Sequence, residues 1–228
     1  MRNPVIFVGH DPREAVAFHV FNESLIRHAS RPIRIVPLAL SLLRDYTETH
    51  TDGSNAFIYS RFLVPHMMGF EGWALFCDGD MLARGDICKL WDMRDDQCAV
   101  QVVKHKYTTK HKRKYVGTSM ETINPDYPRK NWSSVMLLNC SHPSNRVLTP
   151  DYVMAATGPK LHRFQHLTDD EIGELPAEWN WLVGEYPHNP DAKLAHYTLG
   201  VPAIEAYKTC DYADEWLSMQ RSAVEVQL

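Results

Sequence analysis

Trp73-Ala74-Leu75-Phe76-Cys77-Asp78-Gly79-Asp80 decides the reading of this chain. Five residues without a polar interruption need a strand covered on both faces, which is a property of parallel α/β sheets. The run stops at two carboxylates separated by one glycine. In open α/β sheets, ligands bind beyond the carboxyl ends of the strands. Two carboxylates this close repel unless a cation lies between them. A hard divalent ion such as Mn²⁺ or Mg²⁺ suits oxygen ligands and keeps positions open for substrate phosphates. Gly79 lets the backbone turn sharply and lets a ligand approach closely. A solvated acidic turn is the ordinary alternative for such a triplet, and its place directly after a buried strand brings a functional reading level with it.

Working outward, Val5-Ile6-Phe7-Val8 is a second apolar run of the same kind. Gly9-His10-Asp11-Pro12 follows it, with Asp11 placed as an N-cap and Pro12 at the first helical position. Phe18, Phe21, Leu25 and Ala29 recur at helical spacing up to about Ser30. Ile33–Leu40 reads as a strand that Pro37 restricts to an edge or an end. Asn55–Met68 reads as a helix kinked or shortened by Pro65. Further strands are expected at Cys98–Val103, Ser134–Asn139, Trp179–Val183 and Leu194–Thr198. Thr149-Pro150 opens a short helix, and a closing helix covers about Tyr212–Val226. Strands alternating with helices imply an α/β fold with a mixed, mostly parallel central sheet flanked by helices. No repeat or linker interrupts the 228 residues, so a single domain over 1–228 is expected.

The composition excludes several classes. Hydrophobic residues make up 44% and charged residues 23%, too apolar for a disordered chain. Lys and Arg number 24 against 28 Asp and Glu, a net charge of −4, so no nucleic-acid partner is expected. Met1-Arg2-Asn3-Pro4 leads into an apolar run of only five residues, shorter than a signal peptide requires. The cysteines at 77, 88, 98, 140 and 210 are scattered, with no CxxC pair. That spacing argues against a disulfide framework and for a reducing, cytoplasmic setting. P-loop, dinucleotide-binding and serine-elbow motifs are absent.

Other clusters carry possible chemistry. His196, in Ala195-His196-Tyr197, could add a neutral imidazole to the two aspartates, and a nitrogen ligand would favour Mn²⁺. A satisfied core histidine is the commoner outcome for any one of 12 histidines. The run Lys104–Lys114 places six permanent cations and two histidines in eleven residues of an acidic chain. It reads as a flexible loop over a phosphate-bearing acceptor, an anionic membrane surface or RNA, or as a solvated hairpin. Tyr107 and Tyr115 are interleaved with it and could stack on a sugar or a base. Asp169-Asp170-Glu171 could set a carboxylate beside a reacting sugar carbon. Thr168 ahead of it also fits a capping box. Arg61 is a cation in an otherwise apolar segment, suited to a nucleotide or to an ion pair.

Taken in order, Tyr59-Ser60-Arg61-Phe62-Leu63-Val64-Pro65, Trp73–Leu82 with Asp78-Gly79-Asp80, Gly85-Asp86-Ile87 and Leu90-Trp91-Asp92 resemble glycosyltransferase family 8. Ser133–Asn139, Leu175-Pro176 with Trp179-Asn180, and His196-Tyr197 with Gly200 extend the resemblance across about residues 5–202. The family includes glycogenin and the bacterial lipopolysaccharide galactosyl- and glucosyltransferases. The resemblance implies a GT-A fold and retaining transfer of a hexose from a nucleotide-sugar, usually a UDP-sugar, to a saccharide or glycolipid acceptor.

By the same resemblance, Asp78, Asp80 and His196 would hold Mn²⁺ or Mg²⁺. Gly9, His10, Asp11, Arg61, Asp78, Gly79 and Asn139 would contact the donor. Asp170 and Glu171 fall where the family has an Asp-Gln pair beside the anomeric carbon. The family's lysine after Gly200 is missing, since Val201-Pro202-Ala203 follows and the nearest lysine is Lys208. Two other readings use the same residues: a sugar-nucleotidyltransferase, and a nucleotide-sugar-binding module without turnover. A cytoplasmic chain, with the Lys104–Lys114 loop touching the inner membrane surface, is the location this suggests.

Overall fold

The computed structural model describes residues 3–224. A six-stranded sheet forms the centre, in the order β2-β1-β3-β8-β5-β9. Its strands are β1 (Val5–Gly9), β2 (Arg34–Leu38), β3 (Trp73–Cys77), β5 (Val100–Val102), β8 (Val135–Asn139) and β9 (Ile172–Glu174). All neighbours run parallel except β8, which is antiparallel to both β3 and β5. Pro37 lies in the edge strand β2, where one side of the backbone needs no ladder partner.

The alternation of side chains explains why the strands are apolar throughout. Phe7, Phe76, Met136 and Leu138 enter one core with Phe62 and Leu63. Ile6, Val8, Leu75, Cys77, Val135 and Leu137 enter the other. Helix α1 (Ala15–His28) covers this second face with Phe18, Phe21 and Leu25. It follows a 3₁₀ turn, Pro12–Glu14, whose N-cap Asp11 accepts from Arg13 N. The expected helix over Asn55–Met68 is shorter: a 3₁₀ turn, Ser60–Leu63, runs into one turn of α2 (Val64–Met67). Pro65 lacks an N–H and fits only a first helical turn.

A second sheet sets the site. After Asp80 the chain continues as β4 (Met81–Ala83), which the hydropathy pattern does not separate from β3. β4 pairs antiparallel with β11 (Leu194–His196), and β11 pairs with β10 (Trp181–Leu182). Trp179 and Asn180, expected in a strand, form a 3₁₀ turn over Ala177–Asn180. β6 (Arg113–Lys114) and β7 (Thr122–Ile123) make a hairpin of their own. Helices α3 (Ile87–Trp91), α4 (Pro150–Ala155) and α5 (Gly158–His162) are short. Helix α6 (Ala213–Val224) packs Trp216 and Met219 against a third core with Val20 and Tyr197. It starts after Tyr212, whose φ of 60° lies outside the helical region. Glu225 and Val226, expected in this helix, lie outside the described residues. No helix among the described residues is long and apolar enough to cross a membrane.

Strand direction corrects one expectation. Because β8 runs against β3, Asn139 pairs with Trp73, and Val135 pairs with Cys77. Asn139 therefore sits at the sheet edge away from Asp78. Its carbonyl accepts from Asn145 Nδ2 there. Ser133 and Ser134, ahead of β8, take the place beside Asp78, whose N–H donates to Ser134 O at 2.9 Å.

Two stability predictions arise from the packing. A Cβ at Gly79 would lie 2.3 Å from the Gly9 carbonyl oxygen, a backbone atom that cannot rotate away. Gly79→Ala should cost about 1–3 kcal/mol in urea unfolding; an unchanged midpoint would contradict this close approach. His105 is 7% exposed, and burial drives its imidazole down from 6.5 to about 3. Below about pH 6.5 the unfolded chain takes up a proton that the folded chain refuses, so stability falls with pH across this window. At pH 5 this term is of order 2 kcal/mol, and His105→Gln should lose less stability between pH 7 and pH 5 than the wild type. Equal losses in both proteins would refute it.

Candidate metal and nucleotide site

The carboxyl end of β3 and the register of β11 bring three side chains together. Asp78 and Asp80 leave β3 and enter β4. His196 ends β11 opposite Met81, and Tyr197 N donates to Asp80 O at 2.9 Å. One ligand atom from each of Asp78, Asp80 and His196 fits within 4.8 Å of the others. All three residues are buried. They line a cleft of about 420 Å³ with Arg61, Lys114 and His162.

The hydrogen bonds fix the orientation of the His196 ring. Asn180 Nδ2 donates to Ser134 Oγ at 2.8 Å and to Asn131 O at 3.2 Å. Its Oδ1 is therefore the acceptor that faces His196 Nδ1 at 2.9 Å, and Nδ1 carries the proton. Nε2 is the ring nitrogen that faces Asp80 Oδ1 at 3.4 Å and Asp78 Oδ2 at 3.8 Å. Asp78 Oδ1 and Asp80 Oδ1 are buried and have no hydrogen-bond partner. The two carboxylates repel each other unless positive charge is shared among the three groups. The donor set, two carboxylates and one neutral imidazole, fits a divalent ion of the Mn²⁺ or Mg²⁺ class.

The surroundings hold that charge in place. Arg61 Nη1 lies 2.7 Å from Asp78 Oδ1, out of line for a hydrogen bond, and donates instead to Ser133 O at 3.0 Å. The Phe57 and Phe76 rings flank its guanidinium at 5.3 and 5.0 Å. Burial pushes Asp78 up to about 6, against the pull of Arg61. Burial acts on Asp80 as well, but the facing His196 and Lys114 outweigh it and hold its carboxyl below the ordinary range. Tyr115 Oη donates to Asp80 Oδ2 at 3.3 Å.

The structure distributes the other expected residues unevenly. Gly9 and Gly79 touch at the edge of the sheet, so Gly9, His10 and Asp11 are neighbours of the cleft but do not line it. The His10 N–H is bonded to Leu38 O and its ring meets Phe18 edge-on. Asp11 is satisfied by Arg13 and by Ala56 N. Asp170 and Glu171 are outside the cleft. Asp170 is exposed, and Glu171 closes a capping box with Thr168 and accepts from Ser144 Oγ. The capping role explains the acidic cluster, and neither residue is beside the site. Lys208 pairs with Glu205 at the surface.

The basic run does not form one surface. Lys104 lies over the Trp132 ring, Arg113 pairs with Glu121, and Lys106, Lys110 and Lys112 are exposed. Lys114 and Tyr115 alone turn into the cleft. Residues missed by sequence reasoning include His162, whose Nδ1 meets Ser133 Oγ and whose Nε2 is buried without a partner. Nothing in the local pattern of Gly158–His162 marks it. Asn180 is missed as the orienting residue, although Trp179-Asn180 carries part of the family resemblance.

Asn180→Leu should leave all three ligands in place but free the His196 ring. Mn²⁺ affinity measured by calorimetry is expected to fall about 10- to 100-fold. Wild-type affinity in this variant would contradict the assigned orientation.

No family model matches the chain. It is similar to the solved WbbM bifunctional glycosyltransferase in its apo form, with a TM-score of 0.64 and 14% identity, over 96% of this chain and 49% of that one. It is similar to the galactosyltransferase LgtC, in complex with donor and acceptor sugar analogs, with a TM-score of 0.59 and 15% identity over 98% and 97% of the two chains. The apo glycosyltransferase GlyE of Streptococcus pneumoniae TIGR4 gives 0.63 and 15%, over 96% and 60%. The chain thus spans about half the length of WbbM and under two thirds of GlyE. At these identities the likeness is one of fold, and the fold is GT-A. In sequence, the chain is 44% identical over 222 residues to Protein CDI of Arabidopsis thaliana, covering 93% of this chain and 84% of that protein. The chain belongs to the family of Protein CDI.

Proposed function

We propose that this chain is a metal-dependent glycosyltransferase that moves a hexose from a nucleotide-sugar, with UDP as the carrier, to a hydroxyl of a saccharide or glycolipid acceptor, with retention of configuration. The observation that carries the reading is the buried Asp78–Asp80–His196 set, with His196 Nε2 facing both carboxylates. A GT-A fold whose solved examples include glycosyltransferases supports it, as does the ordered resemblance to family 8. Nothing in this support depends on Asp170 or Glu171.

A divalent ion held by Asp78, Asp80 and His196 would act as a Lewis acid on the diphosphate leaving group. The chain's own residues do the rest. Asn180 orients His196, and Arg61 fixes Asp78 from the side of β8. In the transfer, the bond between the sugar C1 and the phosphate oxygen breaks and its electron pair stays on the diphosphate. The acceptor oxygen bonds to C1, and its proton passes to the departing phosphate. The carboxylates lining the cleft are Asp78 and Asp80, both committed to the cation. Tyr127, Asn131, Ser133 and His162 present neutral dipoles, which can stabilise an oxocarbenium-like transition state without a covalent sugar–enzyme bond.

A thermal-shift screen of UDP-, GDP-, ADP- and CMP-sugars, each with Mn²⁺, Mg²⁺ or EDTA, tests the proposal. A UDP-sugar should stabilise the chain only with the divalent ion and should release UDP slowly. Asp80→Asn should keep the far-UV circular dichroism spectrum and lose the shift. No response to any donor would sink the reading. Pyrophosphate release from a nucleoside triphosphate and a sugar phosphate would replace it with nucleotidyl transfer.

A further inference from the structure

Lys114 is held in the cleft with most of its hydrogen-bonding capacity unused. Its ammonium donates to Ser54 Oγ at 3.2 Å, and the Tyr115 ring lies 5.5 Å away. The described residues give it no direct ion pair. An ammonium has three donors. Lys130, by contrast, is tied to Asn124 Oδ1 at 2.7 Å and to Pro125 O at 2.9 Å, which makes it a structural cation. Lys114 also lies at a junction. It lines both the cleft with the metal set and a wider groove of about 1030 Å³ that continues past Tyr127 and Asn131.

The segment that carries Lys114 is anchored, not loose. Buried Glu185 accepts from Thr109 Oγ1 at 2.5 Å and from Lys110 N at 2.8 Å. Asn124 N donates to Lys112 O at 2.9 Å, and Tyr115 N donates to Leu199 O at 2.7 Å. A cation placed this way is preorganised for a ligand and pays little reorganisation on binding. Charge balance indicates what the ligand is. Asp78 and Asp80 are matched by Arg61 and Lys114. A divalent ion then leaves the cleft two positive charges in excess, which a diphosphate diester with two negative charges would cancel.

We propose that Lys114 is the phosphate-binding cation of this site, donating from the hairpin side of the cleft to the oxygens of the donor's diphosphate. This assignment rests on the nucleotide-sugar reading above. Lys114 would take up part of the charge that develops on the diphosphate as the sugar leaves. It also makes a prediction of opposite signs. The Lys114 charge repels a divalent ion, so removing it should favour the ion alone and disfavour the nucleotide.

The test is calorimetry on the full chain with Mn²⁺ alone and with UDP at saturating Mn²⁺, and uridine binding read by saturation-transfer NMR. Lys114→Met should weaken UDP about 10- to 100-fold, leave uridine unchanged and bind Mn²⁺ alone more tightly. Lys114→Arg should restore most of the UDP affinity. If wild type binds UDP and Lys114→Met binds it equally well, the assignment to Lys114 fails and the nucleotide-sugar reading stands. A parallel loss of uridine and Mn²⁺ binding would also refute it, by showing a purely structural role. If wild type binds no nucleoside diphosphate at all, the nucleotide-sugar reading fails first.

Discussion

Two buried carboxylates facing one imidazole nitrogen are the constraint around which this structure is arranged. Asp78 and Asp80 cannot share a buried space on their own terms, because burial penalises each charge and the two charges repel. The fold tolerates them by placing cations and hydrogen bonds on every side. Arg61 answers Asp78, and Tyr115 answers one oxygen of Asp80. Asn180 turns the proton of His196 away from the site. What is left is a set of unpartnered oxygens and one nitrogen, pointing at a common centre.

This constraint organises elements far apart in the chain. Arg61 comes from a 3₁₀ turn, the aspartates from the junction of β3 and β4, and His196 from β11. Lys114 and Tyr115 come from a hairpin between β5 and β8. Backbone bonds tie several of these segments together: Asp78 N to Ser134 O, Tyr197 N to Asp80 O, Tyr115 N to Leu199 O. The central sheet carries the aspartates, and the small sheet β10-β11-β4 sets His196 against them. The cleft is therefore built by pairing between sheets and loops, and not by one contiguous motif.

The misplaced residues have separate physical reasons. The family resemblance assigns Asn139 by its position in a motif, but a motif does not give the direction of its strand within a sheet. One antiparallel strand moves its last residue to the opposite edge. The resemblance sets Asp170 and Glu171 where the family has an Asp-Gln pair, yet a carboxylate after threonine caps a turn as readily as it binds a ligand, and here it caps. The basic run Lys104–Lys114 was read from charge density. The hairpin divides it, turning Lys114 inward and leaving Lys106, Lys110 and Lys112 outward. Charge density along a chain says nothing about which residues of a two-stranded turn face the core.

The sequence by itself determined the strands that carry the site and the carboxylates at their end. Uninterrupted apolar runs at Val5–Val8 and Trp73–Cys77 have no stable place except inside a covered sheet, and Asp78-Gly79-Asp80 must then emerge at its carboxyl edge. Gly79 was legible as a turn residue, but its close approach to the Gly9 carbonyl, which a Cβ would meet at 2.3 Å, belongs to the tertiary structure. Tertiary structure alone decided how His196 meets those aspartates, which nitrogen it offers, and which of six clustered cations enters the cleft. Those outcomes depend on the register of β11 against β4, on Asn180 reaching across to His196, and on the anchoring of the hairpin by Glu185. Such contacts join residues dozens of positions apart, and local pattern holds no record of them.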